Sequence, residues 1–209
     1  MQSHFEGFRD WQSEGIGEKI YQKEKLVVDG MLKLHKPQLV VQLEGRALLD
    51  RFPKDGYYYH VSEDANVAAH AYTVEAEQGF LPFPDQSVDC LLVSHALELY
   101  MAHGQLFLEI DRVLAPSGVM LITVLVNKWV KDAFPTKFHP LGKLQVAPQS
   151  IRKLKRRLSA SGLEVINTHR LVSEKSIIAD RIQEQMLYPM ALEIKKLTPG
   201  WSGVVGVVE

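Results

Sequence analysis

The sequence predicts a single α/β domain spanning residues 1–209, in which a mostly parallel sheet is covered by helices on both faces. Three short apolar runs, at 39–43, 88–93 and 119–126, are nearly uninterrupted, as strands buried on both faces are. Amphipathic helical patterns separate these runs, and strands that alternate with helices build parallel sheets. The chain contains no repeat, low-complexity tract or linker, so we expect one domain rather than two.

The secondary structure of the first half of the chain is predicted from the spacing of apolar residues and from the Gly and Pro residues between segments. Residues 15–34 carry apolar side chains at a period near 3.6 and are predicted to form an amphipathic helix, which Pro37 ends. Residues 1–36 are therefore a helical lead-in to the sheet. Aromatic and β-branched residues, with Gly and Pro between them, predict the next elements. These are strand 39–43, a short helix at 46–52, strand 57–61, a strand around 72–74 and strand 88–93.

The second half repeats this alternation. Apolar positions between 106 and 114 mark a helix face, and residues 116–118 predict a tight turn into the long strand 119–126. Ser150 is predicted to cap a helix that Gly162 ends. The remaining predicted elements are strand 163–166, a last helix within 176–196 and a final strand at 203–208.

Composition restricts the classes of function. Lys and Arg number 24 against 25 Asp and Glu, a net charge of -1, so nucleic-acid binding is not the expected task. The single cysteine, Cys90, lies in an apolar run and excludes a disulfide framework. No apolar run approaches the roughly 18 residues of a membrane span, and no signal peptide is visible. We therefore expect a cytoplasmic protein without a membrane partner, and we leave a homodimer open.

The residues just after each strand are the candidates for a site, because ligands of parallel sheets bind beyond the carboxyl ends of the strands. In chain order they are Glu44, Gly45 and Arg46, then Glu63 and Asp64, then Glu77, then Ser94 and His95, and finally Asn127, Lys128 and Trp129. These strand ends meet at one edge of the sheet, so we expect one site there.

Three segments of the sequence resemble a known family. They are LPFPDQSVD at 81–89, HALE at 95–98 and EIDRVLAPSG at 109–118. Together they look like the second half of class I S-adenosylmethionine-dependent methyltransferases of the type 11 kind. The N-terminal helix, the sequence LVVQLEG and the C-terminal elements resemble a little-characterised bacterial branch of that group. The resemblance implies a Rossmann-like sheet of seven strands with the last one antiparallel, S-adenosylmethionine as cofactor and a small-molecule acceptor.

The turn after the first strand departs from this family. Members that bind the cofactor well are glycine-rich there, because the backbone must approach the methionine end of the cofactor. Here only Gly45 remains, and the Glu44 carboxylate would meet the carboxylate of the cofactor. Arg46 would offset this repulsion by binding the carboxylate of the cofactor. For Gly45, the alternative to a role in cofactor binding is that it only turns the chain out of the sheet. We expect weak cofactor binding, or a methyltransferase fold without cofactor that serves as a binding or partner subunit.

The distance in sequence between Gly45 and the pair Glu63 and Asp64 predicts that this pair binds the ribose of the cofactor. They lie 18 and 19 positions beyond Gly45, near the spacing at which a carboxylate reaches ribose hydroxyls in nucleotide-binding folds. A carboxylate suits this role because it accepts from two hydroxyl groups at once. The alternative for both residues is a solvated loop.

The resemblance places the adenine near the third strand. Glu77 matches by position the family residue that accepts a hydrogen bond from the adenine amino group, and Glu75 is its rival. Phe80 and Leu81 would lie beside the base, and Ser94 would contact the cofactor from the fourth strand.

His95 is the candidate catalytic residue. It follows the fourth strand in the family's reaction cleft, and an imidazole with a pKa near 6.5 exchanges protons near neutral pH. A structural or ligand-positioning role is the alternative. Histidines and carboxylates show no spacing typical of a metal site, so no metal is predicted. Residues 129–149 are predicted to form a lid or substrate wall, with simple packing as the rival.

Overall fold

A computed structural model of the protein describes residues 4–50, 56–62, 72–77, 79–99, 103–127, 149–171 and 187–196. The helices are α1 His4–Trp11, α2 Gly15–His35, α3 Ala96–Leu99, α4 His103–Val113 and α5 Ile151–Ala160. The strands are β1 Leu39–Leu43, β2 Tyr57–Ser62, β3 Tyr72–Glu75, β4 Val88–Ser94, β5 Leu114–Asn127, β6 Leu163–Arg170 and β7 Leu187–Lys196.

The strands form one seven-stranded sheet in the order β3-β2-β1-β4-β5-β7-β6. Strands β3, β2, β1, β4 and β5 pair in parallel, whereas β7 is antiparallel to both β5 and β6. The predicted α/β class and the mostly parallel sheet of seven strands are confirmed. The order places β1 and β4 at the centre, with the carboxyl ends of five strands at one edge.

Helices cover both faces of the sheet. Helices α3, α4 and α5 pack on one face through residues such as Leu106, Ile110 and Leu158. Helix α2 packs on the other face through Ile20 and Met31. Toward the carboxyl ends of the strands, this second face turns from apolar to polar. The buried polar side chains there include Gln42, His60, Ser94 and Thr123, each two positions beyond an apolar residue of the same face.

The predicted helix at 46–52 is wrong over residues 46–50, which form bends. The side chain of Gln42 is the physical reason. Its amide donates to the carbonyl oxygens of Glu44 at 2.7 Å and Arg46 at 2.8 Å, and its oxygen accepts from the Leu48 backbone N–H at 2.9 Å. These bonds use backbone groups that a helix would pair internally. Residues 51 and 52 lie outside the described part of the chain.

The predicted last helix within 176–196 is wrong over Leu187–Lys196, which form β7. The sequence MALEIKK favours a helix by propensity, but this segment pairs with β5 on one side and β6 on the other. Residues on both of its faces, such as Leu192 and Glu193, are buried, and tertiary pairing of this kind overrides local propensity. The predicted strand at 203–208 lies outside the described residues.

Two smaller differences concern the ends of elements. Residues 116–118 continue β5 instead of forming a separate tight turn, and the β4–β5 register shifts between Val88 and Cys90 at this level. Helix α1, 8 residues long, lies within the predicted helical lead-in of residues 1–36 but was not predicted as a separate helix. Among the described helices, none is both long enough and apolar enough to cross a membrane.

Candidate functional site

The predicted site residues that the structure describes lie at the carboxyl edge of neighbouring parallel strands. Glu44, Gly45 and Arg46 follow β1, Glu77 follows β3, and Ser94 ends β4. Glu63, Asp64, Lys128 and Trp129 fall outside the described residues, as do positions 129–148 of the predicted lid. The assignment of these side chains to a ligand stays a prediction.

The turn after β1 is left-handed at two successive residues. Glu44 has φ 55° and Gly45 has φ 68°. The Glu44 backbone N–H donates to the Val61 carbonyl at 3.0 Å, and its carboxylate is buried, accepting from the Ser62 hydroxyl at 2.8 Å. The carboxylate therefore points toward the end of β2 rather than into solvent above the turn.

Gly45 packs directly against β4. A Cβ at this position would lie 2.3 Å from the Ser94 Oγ and 2.9 Å from the Ser94 Cβ. Real Cβ atoms do not approach other atoms this closely, so only glycine fits. This contact explains a glycine at position 45 without requiring a ligand.

Replacing Gly45 with alanine is expected to lower the free energy of unfolding by about 2–3 kcal/mol, because the alanine would combine a positive φ with an overlap on Ser94. Gly30 of α2 is the matched control, since a Cβ there would meet nothing within 4 Å. Gly30→Ala should stabilise the protein by about 0.5–1 kcal/mol. Urea denaturation measures both variants, and equal effects would contradict the packing described here.

Arg46 is held by the N-terminal helices. Its guanidinium donates to the Gln12 carbonyl at 2.6 Å, pairs with the Glu18 carboxylate and stacks over the Tyr21 ring at 3.8 Å. Its backbone N–H also donates to the Gln12 side chain at 3.2 Å. The guanidinium predicted to bind the carboxylate of a cofactor is therefore already bound by side chains of α2 and by Gln12, the residue after α1.

A buried charge cluster lies beside this turn, and we call it the His95 triad. His95 Nε2 lies 2.6 Å from a Glu24 oxygen, and His95 Nδ1 lies 2.8 Å from a Glu98 oxygen. All three side chains are almost fully buried. The same Glu98 oxygen accepts from the Leu125 backbone N–H of β5, and the Phe8 ring packs on the imidazole at a centroid distance of 4.8 Å.

The His95 triad holds the imidazole as a cation. Burial by itself would lower the pKa of His95, but the carboxylates of Glu24 and Glu98 raise this pKa to about 10. At neutral pH both ring nitrogens therefore donate to carboxylates, and neither can take a proton from a substrate in this arrangement. The geometry favours the structural alternative for His95, and its catalytic role stays a prediction.

A groove of about 490 Å³ lies beyond the end of β3. It is lined by Glu77, Phe80, Leu81, Glu109 and Arg112, among other residues. The carboxylate of Glu77 and the ring of Phe80 are exposed, the latter by 61%. The Leu81 backbone N–H donates to Glu109 at 2.9 Å, and Arg112 donates to the Leu81 carbonyl at 2.8 Å. This wall of the groove is therefore fixed by charged side chains.

Comparison with known proteins shows which proteins share parts of this sequence and this fold. Residues 57–122, from β2 into β5, match a family model described as a methyltransferase domain. The chain has the fold of class I S-adenosylmethionine-dependent methyltransferases. No curated protein matches the sequence at a significant level.

Solved structures share the methyltransferase fold at low sequence identity. Geranyl diphosphate C-methyltransferase from Streptomyces coelicolor A3(2), solved with Mg²⁺, geranyl diphosphate and S-adenosyl-L-homocysteine, is 11% identical, with 83% of this chain and 81% of that chain covered and a TM-score of 0.60. An O-methyltransferase from a trans-AT PKS multienzyme of Brevibacillus brevis, solved with S-adenosyl-L-homocysteine, is 12% identical, with 85% and 72% covered and a TM-score of 0.60. The cyclase SpnF is 13% identical, with 83% and 81% covered and a TM-score of 0.58. A cyclase among these neighbours illustrates that the fold does not fix the reaction.

The described residues fit the two halves of the methyltransferase cofactor differently. An adenosine group needs an acceptor for its amino group and a flat apolar contact, and Glu77 and Phe80 offer both at the groove. At the methionine end, Arg46 and Gly45 already contact protein groups. The fit is therefore to the adenosine half.

Sequence reasoning missed the partners that the N-terminal segment supplies. Glu24 reaches His95 from 71 positions away, a distance that no local motif reveals. One signal was available, because Glu24 stands four positions after Ile20 and four before Val28, on the apolar stripe of α2. A carboxylate on such a stripe predicts a buried partner.

Proposed function

We propose that this protein is an S-adenosylmethionine-dependent methyltransferase that acts on a small-molecule acceptor. The observation that carries the proposal is the groove beyond β3. Its residues Glu77, Phe80 and Leu81 offer an adenosine site, and they lie inside the stretch that matches the methyltransferase domain.

The residues of this groove have separate roles in the proposal. The Glu77 carboxylate accepts a hydrogen bond from the adenine amino group, and the exposed face of Phe80 packs on the base. Glu109 and Arg112 hold the Leu81 backbone in place. The bound cofactor supplies a methyl group on a sulfonium centre.

The protein's part in methyl transfer is alignment in a dry site. In-line displacement needs the acceptor atom and the methyl group in one orientation, with at most one base. His95 orders this edge in the proposal, because its triad ties α2 to the turn after β4. A neighbour of the same fold was solved with the small molecule geranyl diphosphate, which supports a small acceptor. Residues 129–149 are proposed as its wall.

A second candidate function is a non-catalytic binding subunit. Two contacts favour it. Arg46 binds Glu18 and stacks on Tyr21, and Gly45 packs against Ser94 with no space between them. Both contacts occupy the end of the cleft that would receive the methionine part of the cofactor. In this alternative the fold is retained and cofactor binding is lost.

Calorimetric titration with S-adenosylhomocysteine separates the two candidates. We expect saturable binding, about tenfold weaker in Glu77→Gln, because an acceptor for the adenine amino group loses its charge. Glu75→Gln is the matched control on β3 and should change the affinity less than about twofold.

Each other outcome has a defined meaning. No saturable binding by the unmodified protein would refute the methyltransferase proposal and support the non-catalytic subunit. A loss in Glu75→Gln with no change in Glu77→Gln would move the adenine contact to Glu75.

A further inference from the structure

A second groove, of about 480 Å³, lies at the amino ends of β1 and β2. We call it the tyrosine groove, and its main lining residues are Leu39, Tyr57, Tyr59, Val74, Phe83 and Asp89. Leu39 begins β1 and Glu44 follows its end. At about 3.3 Å per residue, the tyrosine groove is therefore about 16 Å from the turn after β1. On its other side it adjoins the groove beyond β3, with which it shares Pro82.

Aromatic rings form the walls of the tyrosine groove. The Tyr59 and Phe83 rings contact each other in a T-shaped arrangement, at a centroid distance of 5.6 Å and an interplanar angle of 72°. On β3, the Tyr72 ring contacts the Tyr59 ring at 5.3 Å. Tyr57 at the rim is 59% exposed and Tyr72 is 53% exposed. Ring surface of Tyr57 is thus open to solvent at the groove, and Tyr72 presents a further exposed ring next to Tyr59.

A carboxylate completes the tyrosine groove on the side of β4. One oxygen of Asp89 accepts from the backbone N–H groups of Gln38 at 3.0 Å and Leu39 at 2.9 Å. These bonds fix the side chain at the start of β1. Asp89 is the one charged side chain among the lining residues that the structure describes. Arg112 donates to the Phe83 carbonyl at 2.8 Å, but its guanidinium is paired with Asp85 and Glu109.

Open aromatic faces beside a fixed carboxylate attract organic cations. The negative face of an aromatic ring binds ammonium groups, and methylated ammonium ions are recognised by several such rings together. A carboxylate adds charge complementarity, and a volume of about 300–1,000 Å³ is typical of small-molecule sites. We propose that the tyrosine groove is a binding site for a small organic cation of the alkylated ammonium class, next to the proposed adenosine groove and distinct from it in its lining except for Pro82.

Choline and its neutral isostere 3,3-dimethylbutan-1-ol test this proposal. The two have the same shape and differ in charge, so titrations followed by NMR chemical shifts separate cation binding from apolar contact. We expect saturable choline binding with shifts at Tyr57 and Tyr59, and at least threefold weaker binding of the alcohol. Added salt should weaken choline binding only, because salt screens the Asp89 charge.

Variants identify the groups responsible. Tyr57→Leu should weaken choline binding about two- to fivefold, whereas Tyr57→Phe, which keeps the ring face, should retain it. Asp89→Asn removes the charge but still offers an oxygen to the two backbone N–H groups, and it should also weaken binding about two- to fivefold. Leu108→Ala, an exposed apolar residue on α4, is the control and should have no effect.

Three outcomes would overturn the proposal. They are no saturable binding of choline, equal affinity for choline and the neutral alcohol, and choline binding that neither Tyr57→Leu nor Asp89→Asn weakens. Circular dichroism of each variant confirms that the fold is retained. None of these readouts depends on S-adenosylmethionine, so the proposed function can fail while this inference holds.

Discussion

Replacing His95 with alanine is expected to lower the free energy of unfolding by about 3–5 kcal/mol. The imidazole lies between Glu24 and Glu98, and all three side chains are buried. Without the cation, two carboxylates remain close together in a region that excludes water. Urea denaturation at neutral pH measures the effect.

A second histidine of the chain provides the matched control. His35 also contacts a carboxylate, that of Glu193 at 3.0 Å, but 20% of its side chain is exposed. Water can therefore replace the lost partner, and His35→Ala should cost about 1 kcal/mol. A loss below about 1 kcal/mol in His95→Ala would show that the carboxylates find other partners or take up protons.

The free energy of unfolding is expected to be highest near pH 6.5 and to fall on both sides. The pKa of His95 is raised to about 10 in the folded protein from 6.5. The folded state therefore holds a proton that the unfolded state releases between these values. This stabilisation is fully present below pH 6.5 and is lost as the pH rises toward 10.

The acidic side of the profile has the opposite sign. Burial lowers the pKa of His60 to about 4. Between this value and 6.5 the unfolded state binds a proton that the folded state does not, so stability falls as the pH falls. His60 donates from Nε2 to the Glu44 carbonyl at 3.1 Å in its neutral form, which ties this limb to the turn after β1.

Urea denaturation between pH 6.5 and about 8.5 isolates the contribution of His95. Stability should fall by about 2 kcal/mol over this range, because the slope is small at pH 6.5, where the unfolded histidine is still half protonated, and approaches about 1.4 kcal/mol per pH unit above it. Above about pH 8.5, Cys90 adds to the loss, because burial raises the pKa of its thiol. The slope should be absent in His95→Ala, and an unchanged slope in that variant would contradict the assignment.

The parts of the fold that the sequence predicted are those in which local pattern and tertiary burial agree. The short apolar runs of β1 and β4 predict buried strands, and the predicted bounds agree with the observed ones within one residue. The segment after β1 could not be predicted, because the Gln42 side chain takes over its backbone groups. β7 could not be predicted either, since its strand conformation depends on two neighbours.

The location of the candidate site at one edge of the sheet was predictable, but the contacts of its side chains were not. Strand ends placed Glu44, Gly45 and Glu77 along one edge, which the topology of a parallel sheet requires. The chemistry of each side chain depends on partners from α2, which are remote in sequence. Arg46 pairs with Glu18, and His95 pairs with Glu24. The sequence predicted a guanidinium and an imidazole available to a ligand, whereas the structure has a stacked ion pair and a buried cation.

The order of strands also affects the growing chain during synthesis. β7 lies between β5 and β6 in the sheet but is made after both. Until residues 187–196 leave the ribosome, β6 lacks the strand β7 with which it pairs, and the long apolar β5 lacks the same partner at one of its edges. Such an edge is a template for pairing with other chains. The nascent protein therefore carries its greatest exposure to misassembly late, when most of the domain has already been translated.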